Sequence, residues 1–177
     1  WVVNSSTYDQ QVSPTKLMIN HYLNADGTPV THEGKVNINE ELTGRDLRLT
    51  ACVHHPGYEY TKTNGEKLLK QTNTTYTYNF YQNVKFSIEM EENYSKGKND
   101  NDYPILRYGE VLLNYAEAKA ELDGTLSQAD WDKTIGALRK RAGVTSIYPT
   151  VADAWLAKYY AIDNAILLEI RRERTVE

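Results

Sequence analysis

Cysteine is nearly absent from this sequence, since Cys52 is the single one among 177 residues. One cysteine excludes an internal disulfide, and it leaves the redox compartment open because many exported proteins have no disulfides. Long apolar runs are missing too, and none approaches the roughly 20 residues that a helix needs to cross a bilayer. The sequence therefore predicts neither a disulfide-stapled scaffold nor a helical membrane span.

The sequence also has no excess of positive charge. Lysine and arginine together number 20 against 24 aspartates and glutamates, which gives a formal net charge of -4. Because proteins that hold a phosphate backbone need clustered positive charge, we expect no nucleic-acid partner. With 40% hydrophobic residues, the chain can still bury a core as one globular domain or as part of a larger one.

Motifs for catalysis or metal binding are lacking as well. The chain has no phosphate-binding loop, no dinucleotide-binding glycine pattern and no nucleophile elbow. His54 and His55 are adjacent, so on an extended segment they point to opposite faces, and no cysteine or carboxylate follows at a zinc-site spacing. Glu110, Glu117 and Glu121 share a helical segment with basic residues, which favours ion pairs or a solvated face over acid–base chemistry. We expect no metal, no cofactor and no enzymatic activity.

Tyrosine is the residue in excess, with 14 copies against 2 phenylalanines. Its ring has an apolar face and a polar tip, a combination that suits surfaces for polar ligands. The alternative is that most of these tyrosines are half-buried, with hydroxyls that reach water. The composition alone suggests a polar ligand without establishing one.

Residues 1–102 are predicted to be a loop-rich excursion with a short helix and strands. The stretches "NADGTP", "HHPGYEY" and "KTNGEK" carry turn-forming dipeptides and predict loops. Helical spacing in "SPTKLMINHYLN" predicts a short helix, and "RDLRLTACV" predicts a short strand. Alternating apolar and polar residues from Tyr76 to Met90 predict further strand pieces, with a bend at Gln82.

Residues 103–177 are predicted to be a helical-repeat scaffold. Apolar residues recur every three or four positions in 104–122 and in 128–142, and a glycine follows each segment. Ser127 and Asp130 form a capping-box-like start for the second segment. The short connection predicts an antiparallel pair, which packs on a helix that begins near Val151. The predicted fold class is mainly α, with tetratricopeptide-like helical hairpins and a loop-rich part that contains short β-strands.

The two ends of the chain point to a longer protein. The closing "LLEIRRERTVE" keeps an apolar stripe and has no glycine, asparagine or proline to end its helix. The opening "WVVNSSTYDQ" has no initiator methionine and no signal-type apolar core. We expect the last helix to be truncated and the chain to be a fragment.

Three motifs in this order resemble the SusD/RagB family of nutrient-binding outer-membrane lipoproteins. They are "DYPILRYGEVLLNYAEAKAELDG", "IGALRKRAGV" and "LLEIRRERTVE". Upstream, "SPTKLMINHYLNADGTPV", "ELTGRDLRLTACV" and "YQNVKF" are similar to family segments in the same order, so the resemblance spans nearly the whole chain. Gly136 stands where the family usually has asparagine. The chain would correspond to the middle and C-terminal part of such a protein.

The resemblance implies binding rather than catalysis. Family members hold an oligosaccharide on aromatic and polar side chains at the cell surface and pass it to a SusC-like TonB-dependent transporter in the outer membrane. Their contact with the membrane is a lipid anchor, which lies outside this chain. Since ligand-contacting residues vary across the family, no motif assigns them here. We expect contacts at Trp1 and Tyr8, which precede "SPTK" in a loop-like region.

Two other readings compete with glycan capture. A helical repeat of this kind could bind a protein and have no affinity for sugars, or an enzyme could carry its catalytic groups outside these residues. Trp1 could likewise be buried against helices outside the chain. A lipid-anchored cysteine upstream would favour glycan capture over protein binding.

The fragment prediction has a consequence for stability. Because repeat helices need neighbours on both faces, these 177 residues expressed alone should be marginally stable. Chemical denaturation followed by circular dichroism measures this. A steep transition with a free energy of unfolding well above about 5 kcal/mol, the low end for native domains, would contradict the prediction.

Overall fold

The computed structural model of the chain describes residues 13–30, 37–69, 77, 79–85 and 104–177. The chain forms two compact units. The first comprises Trp1–Lys16, Gly34–Thr43 and Leu49–Pro104, and the second comprises Leu17–Glu33, Gly44–Arg48 and Ile105–Glu177.

Short elements make up the described part of the first unit. Helix α2 (Ile38–Glu41) begins after Asn37, whose side chain accepts a hydrogen bond from the Asn39 amide. Strands β1 (Glu59–Thr61) and β2 (Lys67–Leu69) pair antiparallel, with Tyr60 opposite Leu68. The stretch "KTNGEK", predicted as a loop, supplies the turn of this hairpin.

Helix α3 (Leu47–Cys52) corrects the strand that was predicted for "RDLRLTACV". Leucines at 47 and 49 gave this stretch an alternating pattern, yet the buried residues within it are Leu49 and Cys52, at helical spacing. Asp46 decides the outcome, because its carboxylate accepts a hydrogen bond from the Arg48 amide and so caps a helix. The capping signal outweighed a short alternation.

The strand pieces predicted between residues 76 and 90 fall largely outside the described residues. Of these positions, residues 77 and 79–85 are described, and they contain no strand. Asn83 forms an isolated antiparallel bridge with Val53. Within residues 77 and 79–85, this bridge is the strand-like contact that the structure describes.

Helix α1 (Lys16–Ile19) is shorter than the helix that the sequence predicted in "SPTKLMINHYLN". The chain leaves the helix here because Arg45, which is buried, binds the backbone that follows. Its guanidinium donates to the carbonyl oxygens of Ile19 at 3.0 Å, Tyr22 at 2.6 Å and Leu23 at 3.3 Å. A charged side chain thus replaces the hydrogen bonds that a longer helix would make.

Helix α4 (Tyr108–Asp123) is the longest helix among the described residues. It begins four residues after Pro104, where the prediction placed its start, and it ends as predicted at Gly124, which adopts the left-handed conformation with φ 69°. Next in the chain, α5 (Gln128–Lys133) starts at Ser127, whose hydroxyl accepts from the Asp130 amide as the capping pattern predicted.

The helix predicted over 128–142 and the helix predicted from near Val151 are each divided in two. Thr134 separates α5 from α6 (Ile135–Arg141), and its hydroxyl donates to the Asp130 carbonyl at 2.7 Å. Ala161, with φ 56°, separates α7 (Ala154–Tyr160) from α8 (Ala165–Val176). Instead of one helix from near Val151, the chain therefore forms two, and α8 is capped by the Asn164 side chain.

One apolar core joins α4, α5, α6 and α8. Its fully buried members include Ala116 and Ala120 on α4, Trp131 on α5, Ile135 on α6 and Ile170 on α8. Helix α4 packs against α5, α6 and α8, while α7 packs against α8. The mainly α fold class is thus confirmed. No helix among the described residues has the length and apolarity to cross a membrane.

The two alanines 118 and 120 of α4 provide a matched test of this packing. Ala120 is fully buried and Ala118 is exposed, while leucine and alanine have similar helix propensities. Overpacking at Ala120→Leu should destabilise the natural full-length protein by about 1–3 kcal/mol, whereas Ala118→Leu should change stability by less than about 0.5 kcal/mol. Denaturation midpoints measure both, and equal midpoints would mean that α4 packs with its other face.

Candidate functional site

The residues that the sequence singled out are distributed unevenly over the structure. Trp1 and Tyr8, the predicted ligand contacts, lie outside the described residues. His54 is buried, with its ring centroid 4.9 Å from that of Tyr58, and His55 has its ring centroid 6.0 Å from the same tyrosine. Within the described ranges, no three His, Cys, Asp or Glu side chains come together as metal ligands.

Two of the three glutamates that the sequence singled out on α4 form ion pairs with α8. Glu117 lies 2.6 Å from the Arg174 guanidinium, and Glu121 lies 3.6 Å from that of Arg171. Asn114 adds a hydrogen bond to Arg174 at 2.9 Å. These contacts give the carboxylates a structural role on the surface of the helix pair.

A chain of buried charges runs between α6 and α8. Arg139 is 1% exposed, and it donates through Nη2 to Glu169 at 2.5 Å and through Nε to Glu173 at 3.0 Å. Its guanidinium carbon lies 5.3 Å from the centre of the Trp131 ring. Burial lowers the pKa of Arg139, but the adjacent Glu169 and Glu173 carboxylates outweigh this effect and raise it, so the guanidinium stays charged.

Arg172 extends the chain of charges to the start of α7. It is fully buried and donates to Glu169 at 3.2 Å and to Asp153 at 2.5 Å. Asp153 has a second role, because its other oxygen accepts from the amides of Trp155 and Leu156 and caps α7. The position of α7 therefore depends on an ion pair with α8.

Arg48, at the start of α3, completes the set. It binds Asp46 through two nitrogens, at 3.0 and 2.6 Å, and its Nη1 donates to Glu173 at 2.6 Å and Glu177 at 3.0 Å. The buried carboxylate of Glu173 thus lies between two arginines. We name the residues linked in this way the buried charge network: Arg48, Arg139, Asp153, Glu169, Arg172 and Glu173.

An aromatic group lies on α7 beside this network. Trp155 and Tyr159 have parallel rings, with centroids 5.7 Å apart and planes inclined by 7°. The buried ring of His21 meets Trp155 edge-on at 5.0 Å and lies 3.3 Å, Nε2 to hydroxyl oxygen, from Tyr160. The group holds the segment after α1 against α7, and Tyr159 remains half-exposed.

A cavity of about 240 Å³ opens next to the charge network. Three kinds of side chain line it. Arg139, Asp153 and Glu169 supply charge, while Thr28 and Thr150 supply hydroxyls. The remaining wall is formed by apolar and aromatic residues or glycine: Leu23, Gly27, Pro29, Ile147, Tyr148, Pro149 and Val151.

Tyr148 lines this cavity, and two contacts hold its ring in place. Its hydroxyl donates to the Leu126 carbonyl at 2.6 Å, and the Trp131 ring meets it edge-on at 5.7 Å. Both contacts fix the orientation of the ring. With its polar tip already bonded, Tyr148 offers the cavity an apolar face.

A second, wider depression of about 490 Å³ lies on α5, α6 and the loop that follows, lined by Asp132, Gly136, Lys140, Gly143, Val144, Thr145 and Ser146. A side chain at Gly136 would approach the Ser146 hydroxyl and the Trp131 carbonyl to 3.3 Å. Glycine thus widens this depression.

Sequence reasoning missed the cavity and the charge network. Arg139, Glu169 and Arg172 stand on helices that the apolar spacing predicts, but this spacing gives no sign that the three charges are buried. One local signal pointed to Asp153, since an aspartate just before an apolar helical pattern is a typical helix cap. The pairing of Arg139 with Glu169, 30 positions along the chain, has no local signal.

Comparisons with known proteins agree on one family. A model of the SusD family matches residues 3–177. A crystal structure of a SusD-like protein from Bacteroides fragilis aligns with a TM-score of 0.65 at 21% identity, covering 93% of this chain and 33% of that one. This likeness shows the fold.

A second crystal structure, of a SusD-like carbohydrate binding protein from Bacteroides fragilis, aligns with a TM-score of 0.53 at 25% identity and covers 92% of this chain and 32% of that one. The chain thus spans about a third of the length of these solved structures. No curated protein matches the chain.

The neighbours Arg139 and Lys140 test the charge network. Arg139→Met keeps most of the side-chain volume but leaves two buried carboxylates with one arginine fewer, so the natural full-length protein should lose about 3–5 kcal/mol of stability. Lys140 is exposed, and Lys140→Met should cost less than about 0.5 kcal/mol. Urea denaturation of both variants measures the difference, and a small loss at Arg139 would show that the pairing is dispensable.

Proposed function

Because the chain belongs to the SusD family, we propose that it is the middle to C-terminal part of a surface protein that captures oligosaccharides. The family match over residues 3–177 carries this proposal, and the carbohydrate binding protein with the same fold supports it. The captured glycan would pass to a SusC-like TonB-dependent transporter. The proposed location is the surface of the outer membrane, with a lipid anchor outside these residues.

The chemistry of a sugar suits such a surface. Each sugar ring has flat C–H faces that stack on tyrosine or tryptophan, and its hydroxyls pair with polar side chains. The 14 tyrosines of the chain supply the first kind of group in quantity. Trp1 and Tyr8 remain our proposed ligand contacts.

We propose binding without chemical change. The carboxylates of Asp153, Glu169 and Glu173 each accept hydrogen bonds from arginine, so they serve as ion-pair partners. A general acid or base needs a carboxylate that can exchange a proton with substrate. These three are instead committed to holding helices together.

One observation favours the second reading, a protein-binding repeat. The outer face of α4 carries apolar side chains at helical spacing that stay exposed: Tyr108, Val111, Tyr115 and Leu122. Apolar faces of this kind occur at protein–protein contacts as well as between helices of one chain. We rank protein binding below glycan capture because the family match supports glycan capture.

Titration calorimetry of the natural full-length protein against plant, host and microbial glycans tests the proposal. Each stacked ring or hydrogen bond contributes only about 0.5–1.5 kcal/mol, so we expect micromolar rather than nanomolar dissociation constants. Trp1→Ala and Tyr8→Ala should each weaken binding about two- to tenfold. Tyr108→Ala, an exposed tyrosine on α4, is the matched control and should bind as the parent does.

The recovered sugar and a protein partner distinguish the alternatives. Chromatography should return the glycan at its original length, and shortened products would mean an enzyme. The protein-binding repeat would be favoured by two results together. The protein would bind no glycan of the panel, and it would bind a protein ligand less tightly when Tyr108 is replaced by alanine.

A further inference from the structure

The cavity beside the charge network has the features of a small binding site. Its volume of about 240 Å³ lies below the roughly 300–1,000 Å³ of pockets that hold drug-sized ligands. Thr28, Thr150 and Val151 on its wall are exposed, so the cavity opens to solvent. A single ring fits such a space, with the rest of a longer ligand outside.

The charges in the wall select against an ionic ligand. Asp153 is bound to Arg172, and both oxygens of Glu169 accept from arginines, one from Arg139 and one from Arg172. Every charged group that lines the cavity is thus already paired. A charged ligand would have to compete with these buried pairs, whereas a neutral polar ligand would not.

One nitrogen of the Arg139 guanidinium is not used in the buried charge network. Its Nε and Nη2 bind the two glutamates, while Nη1 makes no hydrogen bond within the described part of the chain. The residue is 1% exposed and lines the cavity, and this N–H group finds no acceptor among the described residues. A ligand hydroxyl in the cavity would supply that acceptor.

The opposite wall suits the apolar side of a sugar ring. Tyr148 offers its ring because its hydroxyl is bonded to Leu126, and Ile147 and Val151 extend the apolar surface. The exposed Thr28 and Thr150 add hydroxyls to the lining, and that of Thr28 also donates to Asp26 at 2.6 Å. Apolar faces flanked by hydroxyls on one molecule are the signature of a pyranose ring.

We propose that this cavity is a subsite for one neutral sugar residue, held by Arg139 on one side and by the Tyr148 ring on the other. The inference rests on the proposed glycan-binding function, and it assigns a place in the described structure to one ring of the glycan. It uses none of the residues proposed above as ligand contacts.

The experiment blocks the cavity without disturbing the charge network. Thr150 is exposed and lines the cavity, so Thr150→Phe in the natural full-length protein fills it. Thr145, an exposed threonine that lines the wider depression instead, gives the matched control Thr145→Phe. The probes are the glycan panel and the methyl glycosides of glucose, galactose, mannose and N-acetylglucosamine. Calorimetry measures the glycans, and saturation-transfer NMR measures the single rings.

We expect Thr150→Phe to weaken glycan binding about tenfold or more and to abolish the methyl glycoside signal, with an unchanged denaturation midpoint. Thr145→Phe and Thr150→Ser should stay within about twofold of the parent. If the glycan binds and both phenylalanine variants bind it equally, the subsite is wrong and glycan capture stands. If no sugar of either kind binds the parent protein, both proposals fail.

Discussion

The second unit depends on two arginines, Arg139 and Arg172, that are almost completely removed from water. A buried guanidinium is tolerated only when carboxylates neutralise it and accept its hydrogen bonds, and here Glu169 serves both arginines. This requirement fixes α6 against α8, since any sliding of one helix along the other would leave a charge unpaired. The apolar core supplies most of the burial energy, while the charges select one register.

Asp153 transmits this constraint to α7. The same carboxylate that pairs with Arg172 caps α7, so the helix begins where the ion pair places it. The break at Ala161 matters for the same reason, because it lets α7 fold back and pack on α8. Backbone hydrogen bonding and charge pairing therefore act on the same few residues.

The network also shapes the chemistry of the surface above it. Each charged residue in the cavity wall is paired with an opposite charge. A neutral, hydroxylated ligand gains most from such a wall because it displaces no ion pair. Binding of this kind is weak per contact, which suits a protein whose proposed role includes release of the ligand to a transporter.

The sequence alone determined the helices with strong local signals: the apolar spacing of α4, its end at Gly124 and the Ser127 cap of α5. It also carried the family assignment, through three motifs in order. Local patterns misjudged α3, where Asp46 capped a helix in a stretch that alternates like a strand. Tertiary structure alone decided the cavity and the charge network, because Arg139 and Glu169 meet only after α6 packs on α8, and no local pattern encodes the cost of burying a charge.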